Sequence, residues 1–420
     1  MSSNLPALAP KQPGCPQLMY NKTLSKEHSQ EEWEAVRQVI AVVYIEKNRT
    51  LEETMAILHN VFRFATSGPY AKLEQVLYSV SNWSRSKLEF STSIPDPMFV
   101  YLANLDSPPS QDSRTMYRIF ELSFDLWYHG KGDLAGRAIR RGFYLLEFVL
   151  HEEHPDMLWH ILDTIYDMAW KGYLDLMGMF LKHATAFAKQ KLADLHPLRL
   201  ILQELTTRDS CNERGFFCDL LRQAWLRNVD LLGKHIETSE AHQLWPYEQL
   251  IWDGSIPLRT GSDLIKQEKA IYQALERMDP AQSRTSNTID TDRLRVKALR
   301  LEFTQTYVGD RGKAEELAND LLEIESVTGP RLTDRFHAHA YKMLARLQEE
   351  KKDWDMAEQN LQCAISKRES AHASESNLRV IADMWVLAAH YQRAGREPEA
   401  KNIVDRALER ASECVTQMIT

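Results

Sequence analysis

Apolar and small residues recur at a fixed interval along the last third of the chain. Leu301, Gly309, Ala314, Ala318 and Leu321 are followed 43 positions later by Leu344, Lys352, Ala357, Leu361 and Ala364. A further 43 positions bring Leu387, Gly395, Ala400, Val404 and Ala407. Each unit predicts a helix, a short turn and a second helix with small residues on its packing face. A fixed period carrying paired helices marks a repeat array, in which every unit buries its apolar face on the next. Ala357 and Ala400 fall early in the second helix, where a large side chain would hold the pair apart. Leu387 and Tyr391 lie four residues apart on one face, and Pro398 stands at a helix start, where its missing N–H is harmless.

Upstream the pattern is less regular. Residues 1–28 carry Pro, Ser and Lys without periodicity and read as a disordered arm. Ser29 with Glu32 and Thr50 with Glu53 form two capping boxes, each followed by an apolar stripe: Trp33, Val36, Ile40 and Val43, then Leu51, Met55, Leu58 and Phe62. A third helix is expected from about Tyr70 to Val80, which completes a helical module over 29–90. The Pro/Ser-rich stretch 91–113 reads as a linker. Over 114–205, Leu122, Leu126, Gly130, Ala135 and Ile139 mimic the later units, and Gly172 follows Gly130 by 42 positions. This segment predicts degenerate hairpin repeats. Residues 206–290 are expected to be an irregular helical connector, and 291–420 the regular repeats. No segment alternates with period two long enough to suggest a sheet, so the predicted fold class is all-α.

The order Leu, small, Tyr, Gly, Ala, Leu or aromatic, Ala in the last third resembles the tetratricopeptide repeat. The 43-residue period is similar to that of its long-helix variant in kinesin-light-chain-like proteins. The resemblance implies an α–α superhelix, or solenoid, that binds protein partners. The first unit matches least, because Glu302 and Gln305 replace the small residue and the tyrosine. Separately, residues 31–66 resemble the front half of the fungal cryptic-loci-regulator-five (Clr5) domain at Trp33, Tyr44, Asn48, Thr50, Leu51, Met55, Phe62, Ala65 and Thr66. That resemblance implies a helix-turn-helix-like module in a nuclear protein linked to gene silencing. Its candidate DNA-contacting residues are Arg63, Lys72, Arg85 and Lys87. Residues 20–90 hold nine Lys/Arg and nine Asp/Glu, so the module is neutral overall.

Composition narrows the picture. A net charge of −8 argues against coating nucleic acid by bulk attraction, though a local basic site escapes that objection. Five scattered cysteines do not make a disulfide framework and read as buried free thiols. The N-terminus lacks a signal-peptide pattern, and the most apolar run, residues 142–150, is about half a membrane span. His151 and His154 are three apart and followed by Pro155, which does not fit a metalloprotease helix. The glycines of residues 130–136 fit a hairpin turn better than a phosphate loop. No catalytic, cofactor or metal site is expected, and Trp127, Trp159, Trp170, Trp354 and Trp385 are expected to fill gaps between helices. The concave face would present Arg300, Phe303, Tyr307, Lys342, Arg346, Trp385 and Arg393, a mixture suited to an acidic, partly apolar peptide. The sequence therefore predicts a non-enzymatic regulatory or scaffold protein of the nucleus. Left open beside it is a cytoplasmic adaptor whose N-terminal module does not bind DNA.

Overall fold

The computed structural model describes residues 69–90, 112–150, 157–206, most of 217–224, 289–324, 330–372 and 377–418. Contacts divide the chain into two compact units, Met1–Lys72 and Leu73–Thr420. Secondary structure is helical throughout the described residues. The helices are α1 (Pro69–Phe90), α2 (Ser113–Tyr128), α3 (Gly132–Val149), α4 (Met157–Lys171), α5 (Leu174–Lys191) and α6 (Pro197–Thr206). After residue 288 come α7 (Ile289–Phe303), a π-helical turn (Thr304–Val308), α8 (Arg311–Leu322), α9 (Pro330–Glu350), α10 (Trp354–His372), α11 (Asn377–Arg393) and α12 (Glu397–Gln417).

The repeat is written most plainly in the turns. Gly309, Lys352 and Gly395, at 43-residue steps, and Gly130 and Gly172 all adopt left-handed φ between 61° and 84°. Four of the five close with the same two bonds. The left-handed residue donates its N–H three residues back, and the next donates five back: Lys131 to Leu126 at 2.8 Å, Tyr173 to Met168 at 2.8 Å, Asp353 to Gln348 at 2.9 Å and Arg396 to Tyr391 at 2.8 Å. This double bond satisfies carbonyls that the ending helix would leave open. The first unit, the weakest match in sequence, differs here too. Its first helix widens into the π-turn, and Gly309 itself donates to Thr304 at 2.9 Å.

Side chains keep the same register. Five residues past the turn stand Ala135, Met177, Ala314, Ala357 and Ala400, all buried. Twelve past it stand Gly142, Ala184, Leu321, Ala364 and Ala407, at the crossing of the paired helices. At Gly142 a Cβ would come within 2.8 Å of the Phe120 ring, so α2 and α3 approach too closely there for any side chain.

Space and chain order differ. Within the unit that begins at Leu73, α7–α8 packs on α9–α10, and α9–α10 on α11–α12. The last hairpin then seats on the first, α11 against α2 and α12 against α3, and α4–α5 with α6 follow. Ile381, Ala411, Cys414 and Val415 share one buried cluster with the core of α2–α6. In space the C-terminal block therefore comes ahead of the N-terminal one, the reverse of their order along the chain.

Three further differences have physical reasons. Val76, Leu77, Val80 and Trp83 of α1 belong to that same core, so this helix, expected to complete a separate module, buries its apolar stripe in the larger unit. Trp127 and Trp170 were expected inside the core; they remain 37% and 42% exposed, since both stand at helix ends beside a turn. Among the cysteines described none forms a disulfide, and Cys218 and Cys414 are buried as expected, but Cys363 is exposed on α10. His151, His154 and Pro155 lie outside the described residues, as do Cys15 and Cys211.

Candidate protein-binding face

The first helices of the C-terminal hairpins are joined by polar side chains as well as apolar ones. Asp383 of α11 is buried between Lys342 of α9, whose Nζ donates at 2.7 Å, and Arg368 of α10, whose Nε donates at 3.1 Å. Burial alone would push the Asp383 carboxyl up, but the two cations overcome it and hold it down at about 2. One step along, Glu349 of α9 meets His390 Nδ1 at 2.6 Å and accepts two bonds from Arg393 at 2.7 and 3.0 Å. Glu358 of α10 accepts the Tyr391 hydroxyl at 2.6 Å and the Arg396 guanidinium at 2.5 Å. Asp334 accepts Lys367 at 2.6 Å, and Glu369 accepts Arg410 at 2.5 Å. Most of these partners are about one repeat apart, so the pairs tie each hairpin to its neighbour.

The proposed groove residues fall into three groups. Lys342 and Arg393 are committed to Asp383 and Glu349. Phe303 is 1% exposed and packs in the core, and Trp385 stacks on His129 of the α2–α3 turn at 4.6 Å with its Nε1 buried. Both rings therefore serve packing between hairpins. Arg346 of α9 is exposed, and Val386 of α11 is 37% exposed. Arg300 is half-buried at the end of α7, and the Tyr307 side chain lies outside the described residues. Of the DNA-contact candidates, Arg85 is exposed on α1. Lys72 and Lys87 lie on α1 with side chains outside the described residues, as does all of Arg63.

The N-terminal hairpins hold a cluster that sequence reading missed. Tyr117 of α2 donates to Glu121 at 3.1 Å, with Asp167 of α4 at 3.4 Å, and Asp163 also faces it. Burial, reinforced by Glu121, raises Asp167 to about 7; burial also raises Asp125 to about 7 against the pull of Lys171. The signal was present as four-residue spacing on one helix face, at positions 117, 121 and 125 and at 163 and 167. What it lacked was evidence that the two faces meet. Among the described residues no group of His, Cys, Asp and Glu could hold a metal ion, and no helix is long and apolar enough to cross a membrane.

The geometry defines an all-helical protein of repeated hairpins with left-handed turns. A family model described as the Clr5 domain matches residues 29–75. The match includes the stretch from Trp33 to Thr66 and ends inside α1. No curated protein and no solved structure matches the chain.

Proposed function

We propose that the chain is a non-enzymatic regulatory scaffold of the fungal nucleus, whose hairpins form a tetratricopeptide-like superhelix that binds protein partners. The N-terminal Clr5 module would be its DNA- or chromatin-linked part. The observation that carries the scaffold reading is the recurrence of one left-handed turn, closed by the same bonds in four of five hairpins, which pack on one another in succession. An array of this kind offers an extended face of first helices rather than an enclosed pocket. On that face Arg346, Val386 and Arg393 are exposed, and Arg393 keeps its guanidinium on Glu349. A partner segment with an acidic residue beside an apolar one would suit them. The Clr5 match supports the gene-regulatory half of the reading.

Affinity capture from fungal nuclear extract with the full chain and with an Arg346→Glu, Val386→Asp variant tests this reading. Loss of a defined set of partners from the variant is expected, with its circular dichroism unchanged. Identical partner sets would remove the groove from the proposal.

A further inference from the structure

The outer face made by α3 and α5 carries a charge distribution that neither repeat packing nor the groove requires. Arg137, Arg140 and Arg141 lie on α3, and Lys182 and Lys189 lie two turns apart on one side of α5. None of the five makes an ion pair among the described residues, whereas Lys191 meets Glu147 at 3.8 Å. The two helices pack on one another through Phe143, which lies 6.1 Å from Phe180 and 5.3 Å from His183, ring to ring. Tyr144 stands 51% exposed between the arginines, and the Arg141 guanidinium lies 5.0 Å from its ring centroid. The same two helices carry three exposed carboxylates, Asp133, Glu147 and Asp175, against six cations, Lys191 included, so the face keeps a positive balance. In the C-terminal hairpins, by contrast, most cations end on a carboxylate.

We propose that the α3–α5 outer face binds the phosphate backbone of duplex DNA. Unpaired arginines are the best match to phosphate, since a planar fork gives two parallel charge-assisted bonds and is only weakly hydrated. The face is made by two packed helices. A flexible acidic peptide would have to be ordered on an open surface, at an entropic cost that a rigid polyanion with fixed charges avoids. Packed helices run roughly 8–10 Å apart, a spacing comparable with the B-form major groove, about 12 Å wide between its phosphate rows. The deep, narrow major groove of A-form RNA offers no equivalent. Such contact carries no base information and sets position along the duplex. With a net charge of −8 the chain as a whole offers no bulk attraction, so the contact depends on a local cluster of cations such as this one.

Fluorescence anisotropy of the full chain on a random-sequence DNA duplex, at several salt concentrations, tests the proposal. Arg140→Ala with Lys182→Ala is compared with Lys401→Ala and Arg406→Ala. All four residues are exposed, and the second pair removes the same charge from α12. Because each phosphate contact adds about 0.9 to the slope of log affinity on log salt, the first pair should flatten that slope by about two and weaken binding about tenfold at low salt. The α12 pair should change neither. The proposal is overturned if the two pairs behave alike, if the full chain does not bind at low salt, or if duplex RNA or polyglutamate binds more tightly than DNA. Loss of all binding in Arg85→Ala with Lys72→Ala, with the α3–α5 pair silent, also overturns it and returns the contact to the N-terminal module. None of these outcomes depends on the groove of the first helices.

Discussion

In α9–α12, Lys342, Lys367, Arg368, Arg393, Arg396 and Arg410 each end on a carboxylate, usually one contributed by the neighbouring hairpin. In α2–α5 the same hairpin geometry gathers Glu121, Asp163 and Asp167 around Tyr117 on the first helices, while Arg137, Arg140, Arg141, Lys182 and Lys189 on the second helices make no ion pair among the described residues. The turns and small packing residues are common to both regions, so they set the repeat and leave electrostatics free. Where opposite charges meet across hairpins, they fix how one repeat sits on the next. Where they do not meet, a buried acid cluster holds its protons and the outer-helix cations stay open to anions.

The largest test of this contrast is Asp383→Ala. It strips the counter-charge from Lys342 and from Arg368, whose side chain is only 5% exposed. Loss of one partner of a buried pair costs about 3–5 kcal/mol, which chemical denaturation would read as a lower midpoint. A change under about 1 kcal/mol would mean that water reaches the site and the pairs are ornaments of the surface kind.

The second test is pH, because the regions should respond with opposite sign. Asp383 is depressed in the folded state, so its contribution is present above the ordinary carboxylate range and is lost as pH falls toward about 2. Asp125 and Asp167 are raised to about 7, so the folded state holds protons that the unfolded chain has released. Their contribution is full below about pH 4 and fades as pH rises to about 7. Hydrogen exchange, corrected for its intrinsic pH dependence, should show α2 and α4 opening more readily at pH 7.5 than at pH 5. The amides of α9–α11 should hold steady over that range. Asp167→Asn should flatten the response of α2 and α4; an unchanged slope would assign it to other groups.

The smallest effect concerns Lys352, the non-glycine residue among the left-handed turns. A side chain in that conformation costs about 1–2 kcal/mol, partly offset because glycine has more freedom to lose on folding. Lys352→Gly should therefore stabilise the chain by about 0.5 kcal/mol, visible as a small rise in denaturation midpoint. The lysine is exposed and packs on nothing that the change would remove. A fall in stability would show that its ammonium matters more than its backbone.

The turns, the small residues beyond them and the helical class were legible in the chain because they depend on neighbours within one hairpin. Gly309, Lys352 and Gly395 needed no tertiary information to be aligned, and Gly130 with Gly172 extended the register upstream. The groove was less legible. Register placed Lys342 and Arg393 on the first-helix face, but it could not show that Asp383 and Glu349, one repeat away, would claim them. Phe303 was assigned to an open face by the same register and is buried, because α7 packs against more than its own hairpin partner.

Periodicity in the sequence by itself determined that this protein is built of paired helices, where each pair turns, and which small residues let the pairs close. Those features are set by local geometry, which repeats wherever the residues repeat. Only the tertiary structure decided that the last hairpin seats on the first, that α1 joins the larger core, and that acids and bases pair across hairpins in one region while a group of buried acids forms in the other. These depend on which faces meet across long stretches of chain, and a helical period fixes the direction of a face without naming its neighbour.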